Sequence, residues 1–148
     1  MIRISTKGRY GTRAMLDLAL NYGRGLILLK DIAERQEISI GYLEQIIPSL
    51  KAAGLVNSSR GAHGGYALAK APPDITLNEI IFALEGPLSL VECIKDPKAC
   101  EKTDFCVTRD LWNGLSEKID DFLASVTLQH LVDKHRSKQK SRPLMYSI

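Results

Sequence analysis

Three thiols carry most of the chemistry this sequence can offer. Cys93, Cys100 and Cys106 stand with six and five residues between neighbours. Zinc ribbons and fingers use tighter pairs. A looser set of thiolates suits an iron-sulfur cluster better, because a cluster is larger than one ion and its ligands stand further apart. Free cysteines are also common as small buried hydrophobes. Here, however, residues 88–103 hold Pro97 and several charges without hydrophobic period, and read as a polar loop. An odd number of cysteines, with no export signal opening the chain, argues against a disulfide framework. A four-ligand site needs one more donor. The histidines His63, His130 and His135 are remote in sequence, and the nearby carboxylates are Glu92, Asp96, Glu101, Asp104 and Asp110. The fourth ligand is open on this reading.

The second chemistry is electrostatic. Residues 1–75 carry ten basic and six acidic side chains, a net +4, whereas residues 76–133 carry five and eleven, a net −6. Beyond them Lys134, Arg136, Lys138, Lys140 and Arg142 stand without an acid. Such polarity suits a molecule that turns one face to a polyanion and keeps another away from it. No phosphate-binding glycine loop, nucleophile motif or carboxylate pair beside a histidine is present, so an enzyme is the least supported class. Apolar runs such as residues 14–20 fall far short of the roughly 20 residues that cross a bilayer, and the expectation is a soluble protein of a bacterial cytoplasm.

The elements that position these groups follow from periodicity and caps. Ser5 and Thr6 open a helix with apolar positions Tyr10, Ala14, Met15 and Leu18, ending near Gly23. Residues 29–36 form a short helix, and Ser39 caps a second over 40–51, the pair being a helix-turn-helix. Pro48 lies inside that second helix, where a kink or restart is expected. Residues 55–60 and 66–69 read as strands around the glycine-rich Gly61-Ala62-His63-Gly64-Gly65, a hairpin. Thr76-Leu77-Asn78-Glu79 is a capping box for a helix that Gly86 and Pro87 close. From Asp104 a long helical stripe runs through Leu111, Trp112, Leu115, Ile119, Phe122, Leu123 and Val126, long enough to pair with its twin about a two-fold axis.

The expected fold is mainly α with a small β-hairpin, a winged helix-turn-helix domain followed by a long C-terminal dimerisation helix. The divisions are 1–86 for the DNA-binding domain, 87–107 for the cysteine loop, 108–133 for the dimerisation helix and 134–148 for a basic disordered tail.

In a winged helix the second helix of the motif enters the major groove and the hairpin follows the backbone or the minor groove. Gln45 then reaches a base edge, with Glu44 beside it able to accept from cytosine or to reject other bases. Ser39, Gly41 and Tyr42 lie at the end that approaches the duplex, and Arg60, Gly61, His63 and Gly64 belong to the wing. Lys7 and Arg9, with Arg13 and Lys51, are phosphate candidates that fix register without reading sequence.

The ordered motifs Ile4-Ser5-Thr6-Lys7-Gly8-Arg9-Tyr10, Ala14-Met15-Leu16-Asp17, Ile32-Ala33-Glu34-Arg35-Gln36, Ser39 to Gln45, Gly54-Leu55-Val56 and Arg60-Gly61 with Gly64-Gly65-Tyr66 resemble the IscR-type branch of the Rrf-two family of winged-helix repressors. The resemblance covers residues 1 to about 133. It implies a homodimeric regulator of double-stranded DNA whose relatives bind a [2Fe-2S] cluster and control iron-sulfur cluster assembly genes. It also implies that Cys93, Cys100 and Cys106 are cluster ligands, that Gln45 and Arg60 contact DNA, and that Glu44 tunes which sites are accepted. One departure stands out. The family's fourth ligand is a histidine three residues after the last cysteine, and Arg109 occupies that place, a side chain without a lone pair for iron. A regulator of the same fold that senses thiol oxidation or a partner protein is the alternative, and a cluster carrier or electron-transfer protein is the reading from a different class.

Overall fold

The computed structural model describes residues 2–142. Helix α1 (Thr6–Leu20) starts where the Ser5 side chain accepts from the Gly8 N–H, and buries Ala14, Met15 and Leu18. Two glycines on this helix let a second helix come close. A Cβ at Gly11 would lie 2.2 Å from Leu84 Cδ1, and one at Gly8 would lie 2.4 Å from Glu85 Oε1. Both neighbours belong to α4 (Leu77–Glu85), whose first turn carries the expected capping box between Thr76 and Glu79.

Helix α2 (Leu29–Gln36) ends at Glu37 in the left-handed region, φ 53°, and Ser39 then caps α3 (Ile40–Ala52) by accepting from the Tyr42 N–H at 3.1 Å. This is the helix-turn-helix. Of the kink or restart expected at Pro48, the restart does not occur, and α3 is one continuous helix through it. Pro48 is exposed, as is Glu44, whose carbonyl loses its helical donor, so water can take the missing bond. Leu43, Ile46, Ile47 and Leu50 anchor the opposite face in the core.

The wing is β1 (Val56–Ser59) paired antiparallel with β2 (Gly65–Leu68), in a register that sets Val56 against Leu68 and Ser59 against Gly65. Ile27 bridges Tyr66 with hydrogen bonds of 2.8 Å in both directions, tying β2 near the tip of the hairpin to the segment before α2. Gly65 makes this approach possible. Its φ is 152°, and a Cβ there would meet the Ile27 carbonyl oxygen at 2.7 Å.

The cysteine segment departs from the expected irregular loop. It contains α5 (Glu92–Lys95) and two 3-10 turns at Pro97–Ala99 and Thr103–Phe105. The single long helix expected after it is two, α6 (Val107–Ser125) and α7 (Leu128–Lys140). The chain turns at Val126 and Thr127. Thr127 caps α7 by accepting from the His130 N–H at 3.2 Å, while His130 Nδ1 accepts from the Thr127 N–H at 3.1 Å. Leu77 N–H bonds Val126 O and Leu128 N–H bonds Ile75 O, both at 2.9 Å. The turn is thereby fixed to the start of α4, and α7 folds back to bury Leu128 and Val132 in the core beside α1.

Residues 134–140, expected as disordered, are the last two turns of α7. Residues 143–148 of that expected tail lie outside the described residues. Among the described residues no helix is long and apolar enough to cross a membrane.

Candidate nucleic-acid interface and cysteine segment

Helix α3 places Ser39, Gly41, Glu44 and Gln45 on its solvent side, because Leu43, Ile46, Ile47 and Leu50 take the other. Tyr42 is half-buried and packs edge-on against Tyr10 of α1, ring centroids 5.6 Å apart and planes at 83°. The guanidinium groups of Arg9 and Arg13 lie 5.7 and 5.4 Å from the centre of the Tyr10 ring, within cation-π range. Arg13 also donates to the carbonyl of Gln36, at the end of α2. The start of α3 and the cations of α1 are thus brought together through two tyrosines. Arg60, Gly61 and His63 are exposed in the connection between the strands and Gly64 is half-buried, so this group stands on a separate element.

A buried acid to which the sequence alone assigns no role sets the pose of the motif. Asp17 is 2% exposed and accepts from Arg35 Nε at 2.9 Å, Arg35 Nη2 at 2.8 Å and Gln36 Nε2 at 3.0 Å. It ties the last turn of α2 to the last turn of α1. The signal was visible as one acid inside the apolar stretch Ala14-Met15-Leu16-Asp17-Leu18-Ala19. The hydrogen bonds that Arg35 donates to the Asp17 carboxylate hold its pKa above the ordinary value, against a smaller opposing effect of burial.

The three cysteines are all free; Cys100 is exposed and Cys93 and Cys106 are half-buried. Cys93 lies in α5, and Cys106 is the residue preceding α6. Cys106 Sγ lies 3.2 Å from Thr108 Oγ1. Its pKa is lowered from the ordinary thiol value, first by the Thr108 hydroxyl and next by the Arg109 backbone N–H, because both stabilise the thiolate. The Arg109 side chain donates from Nε to the Cys93 carbonyl at 3.2 Å, joining the two ends of the segment.

As a donor set, three soft, solvent-reachable thiols fit an iron-sulfur cluster in kind, with Arg109 adding no ligand. They are not drawn together: among the described residues no group of three or more His, Cys, Asp or Glu side chains is placed to hold a metal ion.

Helix α6 leaves a second surface. Leu111 is 60% and Phe122 66% exposed, with Trp112 and Leu115 between them, whereas Ile119, Leu123 and the following Val126 are half-buried.

Comparison with known proteins agrees with this arrangement. Residues 4–134 match the Rrf2 family, described as an iron-dependent transcriptional regulator. The HTH-type transcriptional regulator IscR of Photorhabdus laumondii is 43% identical over 132 residues, covering 89% of this chain and 80% of that protein. The solved structure of T. potens IscR superposes with a TM-score of 0.78 at 42% identity, covering 98% of this chain and 96% of that one. CymR (YrzC), the global cysteine regulator of B. subtilis, gives 0.76 at 43% identity, over 90% of this chain and 98% of that one. The chain belongs to the Rrf2 family of winged-helix transcription regulators, and it is a regulator rather than an enzyme.

Proposed function

We propose that two copies of this chain pair through α6, read a pseudo-palindromic promoter site with their α3 helices and wings, and adjust that binding to iron-sulfur cluster status through the segment from Cys93 to Cys106. The observation that carries the sensing half is the placement of three free, solvent-reachable thiols on one segment between α4, which packs on α1, and α6. The apolar stripe of Leu111, Trp112, Leu115 and Phe122 supports the pairing, since large exposed apolar groups aligned on one helix face mark an association surface.

In this reading Gln45 and Glu44 read base edges, and Ser39, Gly41 and Tyr42 seat the start of α3 in the groove. Arg60, Gly61, His63 and Gly64 line the minor groove or the backbone, while Lys7 and Arg9 neutralise phosphates. Cys93, Cys100 and Cys106 hold the cluster, a [2Fe-2S] centre, with a fourth ligand that Arg109 does not provide. When bound, the group supplies a redox-active iron centre whose presence and charge differ with cellular iron and oxidant. The chain's own part is to carry that difference along α6 to the dimer partner and through α4 to α1, so that one global state of the dimer links the two sites. Cluster assembly genes in a bacterial cytoplasm are the target this reading implies.

The test is protein purified without oxygen, with its visible absorption recorded and iron and sulfide counted per chain. Charge-transfer bands with equal iron and sulfide are expected. Colourless, iron-free protein after attempted reconstitution would overturn the cluster and leave the second reading, a thiol switch. That alternative is favoured by the acidified Cys106, because thiolate character sets oxidation susceptibility.

A further inference from the structure

The end of α7 gathers cations that make no ion pair among the described residues. Lys134, Arg136, Lys138 and Lys140 lie on the helix, and Arg142 just beyond its cap at Ser141. All five are exposed, and no acid occurs from residue 134 onward. The last buried residue of the helix is Val132, so the positions from Asp133 to Lys140 extend past its anchor by roughly 12 Å at about 1.5 Å per residue. Among the described residues none of the five cations has a carboxylate within ion-pair distance.

The spacing also works against the helix. Lys134 and Lys138, and Arg136 and Lys140, are like-charged pairs four residues apart, which destabilise an isolated helix. Only the cations of the final turn gain from the helix dipole. A helical extension with repelling cations, no acid of its own and only His135 half-buried has the charge to be stabilised from outside by a polyanion. Its root lies beside DNA-facing elements, because α7 packs on α1 and on the turn Pro72–Asp74 that leaves the wing.

We infer that the exposed cationic end of α7 is a second, sequence-independent DNA contact that grips phosphates of the duplex bound by α3 and the wing. The inference rests on the winged-helix reading of the DNA site and adds an element to it. Each phosphate neutralised by a bound cation releases counterions, and the slope of log affinity against log salt changes by about 0.9 for each.

The experiment measures that slope for the full chain on a duplex of about 50 base pairs containing a selected operator. It compares wild type with a variant carrying Lys134→Gln, Arg136→Gln, Lys138→Gln, Lys140→Gln and Arg142→Gln. Loss of two contacts per protomer lowers a dimer's slope by roughly 3 to 4, with the preference for operator over scrambled duplex retained. An unchanged melting temperature establishes that the variant is folded; should it fall, Lys134→Gln with Lys138→Gln alone is measured in its place, with a smaller decrease expected. A slope equal to that of wild type overturns the inference. Wild-type protein that binds no duplex at any salt overturns the winged-helix reading beneath it instead.

Discussion

Asp17 and Arg35 meet as a two-pronged pair, Nε to Oδ2 at 2.9 Å and Nη2 to Oδ1 at 2.8 Å, in which the acid is 2% exposed and the arginine 44%. The two partners are therefore not equivalent. In Arg35→Met the carboxylate stays buried with only Gln36 as a side-chain donor, whereas in Asp17→Asn the guanidinium can turn into water. The expected losses are about 2–3 kcal/mol for Arg35→Met and about 1 kcal/mol for Asp17→Asn, read from urea unfolding. Equal losses would contradict the asymmetry. Because the pair joins α2 to α1, Asp17→Asn is also expected to weaken DNA binding more than its small stability loss explains.

Glu79 gives the structure a pH dependence. Burial raises its pKa, but hydrogen bonds from Lys70 and the Thr76 backbone outweigh that and bring it below 4.5. A carboxylate whose folded pKa is depressed contributes stability above its unfolded pKa and loses it as pH falls through the folded value. Glu79→Gln keeps an acceptor for the Thr76 N–H and loses only the charge, so it is expected to cost about 0.5–1 kcal/mol near neutral pH, mostly through the lost acid in the first turn of α4. The Lys70 pair adds little, with its two side chains 41% and 39% exposed. The difference from wild type should shrink steadily below pH 4.5 in thermal melts; a constant difference would contradict the assignment.

Base reading and phosphate gripping separate by salt. Gln45→Ala is expected to cost about 1–3 kcal/mol on a selected operator and to relax preference at one position, leaving the salt slope as it was. Lys7→Gln should weaken binding to all duplexes alike and lower the slope by about 1 per contact.

Pairing through α6 is tested by charge. Leu115→Glu with Phe122→Glu places acids in the exposed stripe without touching the core, so the monomer should fold while the dimer is lost. Sedimentation should then give one chain of 16.4 kDa, with operator affinity falling at least tenfold. A dimer that survives both changes would place the interface elsewhere.

Much of this was legible in the chain because it was local. Ser5, Ser39 and Thr76 announce helix starts through side-chain oxygens, and the glycines from Gly61 to Gly65 mark the hairpin. What escaped depends on contacts distant in sequence. The stripe from Leu111 to Val126 continues in helical period, yet the chain turns at Thr127 because the backbones of Ile75 and Leu77 capture its neighbours. The tail beyond Val132 has a disordered composition, but it is carried on a helix whose first turns are anchored in the core. Pro48 is tolerated because the bond it removes faces water, a fact of orientation rather than of residue type. In the cysteine segment the thiols and Arg109 were readable, whereas the hydrogen bond from Arg109 to Cys93 joins residues 16 apart.

The central claim is that the state of the Cys93 to Cys106 segment sets DNA affinity. Its most direct measurement is the operator dissociation constant, at fixed salt and without oxygen, for protein as isolated and after removal of iron. A change of at least about fivefold between the two is expected, and none in Cys100→Ala. The same affinity in both wild-type forms would contradict it.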